Sequence, residues 1–307
     1  MNVLGTILIN VIFPLFLLIA IGAVLHRKFS FDMNTLSKLN NYLLLPAVSF
    51  SNVYESKLGG EVLLHIIYFL SLQATALILL VTVAAKLFKF EPELSSSFKN
   101  SVVLNNSGNF GLPVSQLVFQ HNPLGASIQV VVMIFQNLLT YTYGLANSIS
   151  VHSKGAQAFK QFFKNPVLYA FFLGLLLHVL SIKIPQFLWQ PIDNTANAFL
   201  AIALITLGAQ SAHLNLKKIT FPLVASLVGR LVLSPAIALL IIFCLKLDGV
   251  TAQALFIASS FPTSRNSALF ALEYDNRPEY AAQAVLLSTI LSSLTVTIVV
   301  YTSTILF

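Results

Sequence analysis

Ten apolar runs, each long enough to form a helix that crosses a bilayer, follow one another along this sequence of 307 residues. A helix of about 20 apolar residues spans the hydrocarbon core of a membrane. Of the residues, 57% are hydrophobic and 9% are charged, whereas a soluble domain carries charge on roughly a quarter of its residues. The sequence therefore excludes a soluble fold and predicts an all-α integral membrane protein with ten transmembrane helices. The predicted spans lie near residues 5–25, 34–54, 62–87, 97–120, 126–149, 166–183, 193–213, 219–245, 251–273 and 280–305.

The distribution of the 17 lysine and arginine residues tests this number of spans. Cytoplasmic loops of membrane proteins carry an excess of these residues. With ten spans, twelve cations fall on one side of the membrane, three fall on the other, and Arg230 and Arg265 fall inside spans. This split predicts that both termini lie outside the cytoplasm and that the 150–165 loop lies inside it. The cation-rich side holds Arg27, Lys28, Lys38, Lys86, Lys89, Lys99, Lys154, Lys160, Lys164, Lys217, Lys218 and Arg277, and the other side holds Lys57, Lys183 and Lys246.

The charges and the single cysteine argue against several other functions. The formal net charge of +7 does not indicate a nucleic-acid partner, because the cations lie mostly in short breaks between apolar runs. Cys244 is the only cysteine and no Cys and His cluster is present, so we expect no disulfide, metal site or cofactor. No Asp or Glu lies in the middle of a predicted span, which disfavours a cation antiporter.

The two halves of the sequence align after a shift of 155 residues. The segment QHNPLGAS at 120–127 then falls on DNRPEYAA at 275–282, which pairs Pro123 with Pro278. Five spans in each half make the second copy enter the membrane from the opposite side. We therefore predict two inverted five-helix repeats, at 1–150 and 166–307, joined by a cytoplasmic loop at 151–165. Such repeats are typical of secondary transporters, whose substrate sites lie near the midplane at discontinuous helices.

The fourth and ninth spans each contain a segment that disfavours a continuous helix. The fourth contains NNSGNFGLP at 105–113, and the ninth contains a proline followed by TSRNS at 263–267. Backbone groups freed at membrane depth must be buried in protein or line a cavity, and half-helix N-termini suit an anionic ligand. Ordinary proline kinks are the alternative, but the matching positions in the two halves favour a binding site. The candidate substrate-binding residues are Asn105, Asn106, Asn109, Gly111, Pro113, Pro262, Thr263, Ser264, Arg265 and Asn266.

Two arginines inside predicted spans receive different interpretations. An arginine at the centre of a bilayer costs about 2.5 to 3.5 kcal/mol, so it is retained for function or pairing. Arg265 has no acidic partner in any span, and its guanidinium suits a carboxylate, so we expect it to bind an anionic substrate. Hydrogen bonds from Arg265 to backbone carbonyls freed by the helix break are the alternative. For Arg230 we expect a structural role, with the long side chain reaching toward the cytoplasmic surface.

Several of these segments resemble the auxin efflux carrier family. They are NNSGNFGLP in the fourth span, FPTSRNSALFALEY in the ninth, EYAAQAVLLSTILSSLT leading into the tenth, and GRLVLSPAI in the eighth. The resemblance implies that helices 4 and 9 are broken and cross near the midplane, with Pro113 and Pro262 at the crossover and Asn109 near the substrate carboxylate. It also implies a scaffold of helices 1, 2, 6 and 7, a transport domain of helices 3–5 and 8–10, homodimers, and elevator-like movement.

The short connection between the fifth and sixth spans is similar to that of the bacterial branch of this family. The resemblance thus implies a carrier of malate, malonate or a related carboxylate in the bacterial inner (cytoplasmic) membrane. Three alternatives stay open from the sequence. They are a sodium-coupled symporter of a larger organic anion on the same fold, an anion channel, and a membrane-embedded enzyme, although no HExxH or GxSxG motif supports the last.

Overall fold

A computed structural model describes residues 8–55, 60–120, 122–151, 166–212 and 219–307. Every regular element in these segments is helical, with no strand longer than an isolated bridge. The helices are α1 (Phe13–Phe29), α2 (33–54), α3 (Gly60–Leu87), α4 (Pro92–Val103), α5 (107–118), α6 (Pro123–Ile149), α7 (Pro166–Val179), α8 (Gln186–Ser211), α9 (Phe221–Leu245), α10 (Gly249–Ser259), α11 (Arg265–Glu273) and α12 (Pro278–Leu306). Single π turns lie within α2, α6 and α9, begin α5 and precede α1.

Six of the described helices are long and apolar enough to cross a membrane. They are α1 with its preceding turn, α3, α6, α8, α9 and α12. Two shorter apolar helices are also present, at Tyr169–Val179 within α7 and at Gly249–Ser259. The chain is therefore a multi-pass membrane protein, and the predicted all-helical class is confirmed. The total of ten spans stays a prediction, because it also requires α2 and α7 to cross, and α4 with α5, and α10 with α11, each to count as one interrupted span.

The distribution of polarity in the structure is that of a protein in lipid. Large apolar side chains point outward, and Phe187, Leu240 and Leu294 are 72%, 65% and 64% exposed. Polar side chains are buried instead, and Asn100 and Gln129 are only 1% and 0% exposed. Lipid-facing surfaces must lack polar groups, which explains why the amides lie inside.

Local sequence signals determine several helix starts. Asp32 caps α2, because its carboxylate accepts hydrogen bonds from the hydroxyl and the N–H of Thr35, and these bonds lower the pKa of Asp32. Pro123 and Pro278, the two prolines that the sequence alignment pairs, are the first residues of α6 and α12. Proline is favoured there because the first N–H of a helix has no partner in the helix.

The helices α1, α2, α7 and α8 pack together as one group. α1 lies along α8, and α2 lies against both α7 and α8. The contact of α1 with α8 is close because glycines face the opposite backbone. A Cβ atom on Gly22 would lie 2.1 Å from the carbonyl oxygen of Ile205, and one on Gly208 would lie 1.8 Å from that of Ile19.

The remaining helices pack around the two short pairs α4–α5 and α10–α11. α3 contacts α4 and α9, while α10 contacts α6, α9 and α12. α11 lies along α12, and α5 lies along α6. This second group touches the first mainly where α6 meets α2 and where α5 meets α8.

Part of the predicted topology lies outside the described residues. Residues 152–165, which are nearly all of the predicted connecting loop, belong to this part. So do six of the counted cations, namely Lys57, Lys154, Lys160, Lys164, Lys217 and Lys218. The orientation inferred from the charges therefore stays a prediction. Among the described helices, the largest change of boundary is in α8, which begins at Gln186 rather than near residue 193.

Candidate functional site

The two interruptions, between α4 and α5 and between α10 and α11, lie side by side. Their backbones run antiparallel and form an isolated β-bridge. The N–H of Asn106 donates to the carbonyl of Pro262 at 2.8 Å, and the N–H of Ser264 donates to the carbonyl of Leu104 at 2.8 Å. Each interruption thereby satisfies backbone groups that the other leaves without a helical partner.

The two predicted prolines occupy different positions relative to these interruptions. Pro262 lies within the second one, between Ser259 and Arg265. Pro113 lies beyond the first one, at the second residue of the α-helical part of α5, Leu112–Val118. A proline near the start of an α-helical segment is well tolerated. The first break therefore coincides with the asparagine pair rather than with Pro113.

A cavity of about 290 Å³ opens beside the bridge. It lies between the two interruptions, α2, α6 and the start of α7. Six of the ten predicted site residues line it, namely Asn105, Asn106, Asn109, Ser264, Arg265 and Asn266. The structure therefore places both polar segments at one cavity, although nearly 160 residues separate them in the chain.

The other four predicted residues, Gly111, Pro113, Pro262 and Thr263, do not line this cavity. Thr263 is 1% exposed, and its hydroxyl donates to the carbonyl of Ser101 at 2.7 Å. Its N–H donates to the hydroxyl of Ser288 at 3.0 Å. Gly111 faces the ring of Phe261 and the amide of Gln129, neither of which lines the cavity. These residues hold the interruptions in place, and the structure gives them no direct access to a ligand in the cavity.

Several buried amide atoms at the cavity have no hydrogen-bond partner among the described residues. They are Oδ1 of Asn105, Nδ2 of Asn106, Oδ1 of Asn109 and Oε1 of Gln136. Buried polar groups are nearly always paired, so unpaired atoms at one cavity indicate space for a polar ligand. A primary amide offers two N–H donors and a carbonyl acceptor, so Nδ2 of Asn106 suits an oxygen of a small polar molecule, and the three unpaired oxygens suit a donor such as a hydroxyl.

The half-helices direct their N-terminal ends at the cavity. The first residues of α5, from Ser107 to Asn109, line it, and so do the first residues of α11, Arg265 and Asn266. The first N–H groups of a helix lack helical partners and carry a partial positive charge. Two such ends at one cavity produce a positive potential that favours an anion.

Arg265 adds a full positive charge to this cavity. Its Nη1 atom donates to the hydroxyl of Ser37 on α2 at 3.2 Å, and no backbone carbonyl among the described residues accepts a bond from it. The alternative expectation, that Arg265 binds carbonyls freed by the break, finds no support in these contacts. No lining residue is acidic, so Arg265 has no ion-pair partner at the cavity. Its other N–H groups donate to no residue in the described part of the chain, so they can bond to a ligand.

Arg230 differs from its predicted position and does not reach toward a membrane surface. It is 1% exposed and lies in the π turn Gly229–Leu233 of α9. Its guanidinium donates to the carbonyls of Val102 and Ser259 and to the hydroxyl of Ser234. The expectation failed because the carbonyls at the ends of α4 and α10 offer buried acceptors that the sequence of α9 does not reveal. Arg230, and not Arg265, takes the carbonyls freed by the breaks.

Comparison with known families assigns the chain to a class of transporters. The family described as membrane transport protein matches residues 7–158 and, separately, residues 147–300. The two matches together cover nearly the whole chain. The chain belongs to this family, the auxin efflux carriers. The resemblance seen in the sequence is thereby confirmed. No curated protein matches the chain. Membership of this family and the apolar helices identify a multi-pass membrane transporter.

Sequence reasoning missed about two thirds of the cavity lining of this family member. α6 contributes Gln136, Asn137, Thr140 and Tyr141, and α2 contributes a further pair, Asn41 and Tyr42. The four α6 residues are spaced so that they share one helix face, with pairs four residues apart. That polar stripe in an otherwise apolar span was a usable signal. The position of α2 depends on long-range packing, and only the polar character of the second span hinted at it.

Proposed function

We propose that the chain is a secondary transporter that binds a small organic anion, such as malate, malonate or a related carboxylate, in the cavity at the two helix interruptions. The observation that carries the proposal is the charge around this cavity. Arg265 and two half-helix N-termini are positive, and no acidic residue lines the cavity. A carboxylate supplies the missing negative charge and can accept two parallel hydrogen bonds from a guanidinium.

The size of the cavity supports a small substrate. Ligand cavities usually measure about 300–1,000 Å³, and this one is about 290 Å³. A dicarboxylate of three or four carbons would bring one carboxylate to Arg265 and leave the other for the unpaired Nδ2 of Asn106. A larger organic anion would require α2 and α6 to move apart.

The proposed architecture is that of ten spans in two inverted repeats. The described helices occur in the same order in each half, namely two helices, a third long helix, an interrupted pair and a final helix that starts with proline. The group of α1, α2, α7 and α8 would be the scaffold, and the remaining helices the transport domain. We further propose that the transport domain moves as an elevator in a homodimer in the bacterial inner membrane, with both termini outside and the 150–165 loop in the cytoplasm.

Uptake into proteoliposomes tests the proposed site. The purified protein would be supplied with a panel of labelled carboxylates, with sodium, pH and voltage varied in turn. Saturable uptake of a small dicarboxylate is expected. Chemical conversion of the substrate would instead indicate an enzyme, and currents far above the turnover of a carrier would indicate a channel.

The substitution Arg265→Gln tests the role of the charge. Removing one partner of a buried charged pair costs about 2–5 kcal/mol, so the affinity for the anion should fall roughly 30-fold or more. Arg265→Lys keeps the charge but not the planar pair of donors, so its affinity for the anion should lie between those of the wild type and of Arg265→Gln. Arg277→Gln is the matched control, because Arg277 pairs with Glu91 at an exposed position. Unchanged saturable uptake by Arg265→Gln would remove Arg265 from the site.

A further inference from the structure

Arg230 connects the ends of two half-helices that come from opposite halves of the chain. Its Nη1 atom donates to the carbonyl of Val102 at 2.8 Å, one residue before the end of α4. Its Nη2 atom donates to the carbonyl of Ser259, the last residue of α10, and to the hydroxyl of Ser234. That hydroxyl in turn donates to the carbonyl of Ser259 at 2.9 Å. Both terminal nitrogens of the guanidinium thus bind backbone or hydroxyl oxygens, while Nε is buried with no partner among the described residues.

The charge of Arg230 has no acidic counterpart. None of the ten Asp and Glu residues is buried, although Arg230 is 1% exposed. An unpaired charge at such depth is costly, so its stabilisation must come from the surrounding dipoles. The C-terminal end of a helix carries a partial negative charge and carbonyls without helical partners. Two such ends, from α4 and α10, meet at this guanidinium.

Transporters with interrupted helices place coupling cations at this kind of position. Unwound carbonyls and half-helix C-terminal ends coordinate Na⁺ there, while the N-terminal ends hold the anionic substrate. In the present structure the N-terminal ends of α5 and α11 line the cavity, and the C-terminal ends of α4 and α10 meet at Arg230. A bound cation and the guanidinium would compete for the same oxygens.

We propose that the guanidinium of Arg230 is a tethered cation that occupies a monovalent-cation site between the ends of α4 and α10. It stabilises the two interrupted helices permanently, so the protein needs no Na⁺ to form its substrate cavity. Arg230 acts as a positioning residue, because it lines no part of the cavity itself. Removing the side chain while leaving its oxygen ligands creates a site that free Na⁺ fills. The inference concerns how the helix ends are held, and it does not depend on which anion is transported.

Three substitutions separate the charge from the space that the side chain fills. Arg230→Ala removes both charge and volume, Arg230→Met keeps volume without charge, and Arg230→Lys keeps a charge. Thermal unfolding of each purified variant would be compared in NaCl and in N-methyl-D-glucamine chloride at equal ionic strength. For the wild type, and likewise for Arg230→Lys, the Tm in NaCl should equal the Tm in N-methyl-D-glucamine chloride. The Tm of Arg230→Met should be low in both, because neither charge nor space is available for the oxygens.

The Ala variant carries the decisive result. Its Tm should be low without Na⁺ and should rise as Na⁺ is added, by roughly 2 °C when Na⁺ is about tenfold above its Kd. A Na⁺ response equal to that of the wild type, or an equal response in Arg230→Met, would overturn the proposal. If Arg230→Ala does not fold in either salt, the uptake rate of the wild-type protein tests the proposal instead. Replacing Na⁺ with N-methyl-D-glucamine should leave this rate unchanged, and Na⁺-dependent uptake would overturn the tethered-cation role. The unfolding measurements need no substrate, so they stand even if the anion site at Arg265 is disproved.

Discussion

At the scale of single residues, Gly111 shows how closely the two interruptions approach each other. A Cβ atom at this position would lie 2.5 Å from the ring of Phe261 and 2.8 Å from Nε2 of Gln129. A hydrogen bond holds that amide in place, because Nε2 donates to the carbonyl of Ser107 at 2.8 Å. Only glycine fits between these two groups without movement. Gly108, in the same π turn, has more space, since its nearest neighbour is Sδ of Met133 at 3.5 Å.

We therefore predict that alanine lowers the stability of the protein at Gly111 but not at Gly108. Gly111→Ala should lower stability by about 1–3 kcal/mol, the usual cost of overpacking a tight site, and should reduce uptake because the ring and the amide must shift. Gly108→Ala makes an ordinary van der Waals contact and is the matched control for stability only, because Gly108 lines the cavity. Thermal unfolding in detergent and initial uptake rates measure both effects. Equal Tm values for the two variants would contradict the packing seen at Gly111.

The candidate site could be predicted in part, and the reason lies in individual residues. Asn105, Asn106 and Arg265 stand out in the sequence because polar side chains are expensive in an apolar span. Gly111 and Thr263 belong to the same segments, but whether they face the cavity or the packing behind it depends on side-chain direction. The structural role expected for Arg230 agrees with its contacts, but the expected direction of its side chain was wrong, because two of its partners are backbone carbonyls, and backbone acceptors leave no mark in the sequence.

At the scale of helices, the contact between α1 and α8 depends on glycines, which have no side chain to separate the two backbones. Cβ atoms on Gly22 and Gly208 would come within 2.1 Å and 1.8 Å of backbone carbonyl oxygens of the opposite helix. Small residues at such crossings allow the close packing by which membrane helices associate. Backbone atoms cannot rotate away as a side chain can, so any larger residue must separate the helices.

The element-scale prediction is that Gly208→Ala or Gly22→Ala loosens this helix pair. Each should lower the Tm by more than Gly111→Ala does, because the clash is with backbone rather than with side chains. Gly60→Ala is the control, since no atom lies within 4 Å of the position of its Cβ. Fluorescence-monitored thermal unfolding would rank the variants. A Tm for Gly208→Ala equal to that of Gly60→Ala would show that α1 and α8 do not approach this closely.

Helix existence could be predicted because length and apolar content suffice to place a membrane helix. Helix interruption was also predicted, from consecutive asparagines and glycines in one case and from proline in the other. The exact break in the first span could not be predicted. Its position is determined by pairing with the second break, through the bonds of Asn106 and Leu104 to the other strand. The early start of α8 at Gln186 was also not predicted.

At the scale of the whole molecule, the cavity lies between the two groups of helices. One wall belongs to α2, through Asn41 and Tyr42, and the opposite walls belong to α5, α6 and α11. Few polar contacts join the groups near it. The bonds from Arg265 to Ser37 and from Ser127 to the carbonyl of Asn52 are two of them. The proposed elevator movement would break both contacts as the proposed transport domain slides past the proposed scaffold.

Crosslinking across this boundary should stop transport. The pair Asn52→Cys and Ser127→Cys joins α2 to α6, where the Ser127 hydroxyl lies 2.7 Å from the Asn52 carbonyl oxygen. Cys244, the one native cysteine, is exposed and would first be replaced by serine. Treatment with a short bifunctional thiol reagent should abolish uptake, and reduction should restore it, because the crosslink prevents sliding between the two groups.

The matched control joins two helices inside the proposed transport domain. Ser96→Cys on α4 and Asn147→Cys on α6 replace side chains that already contact each other, with Asn147 Nδ2 3.3 Å from Ser96 Oγ. A rigid transport domain carries this crosslink along unchanged, so uptake should continue after treatment. If both pairs crosslink fully and both proteins still transport, the boundary at α2 does not slide, and substrate must pass through local opening of the cavity instead. If both lose uptake, movement inside the second group is required, and the division into scaffold and transport domain is incorrect.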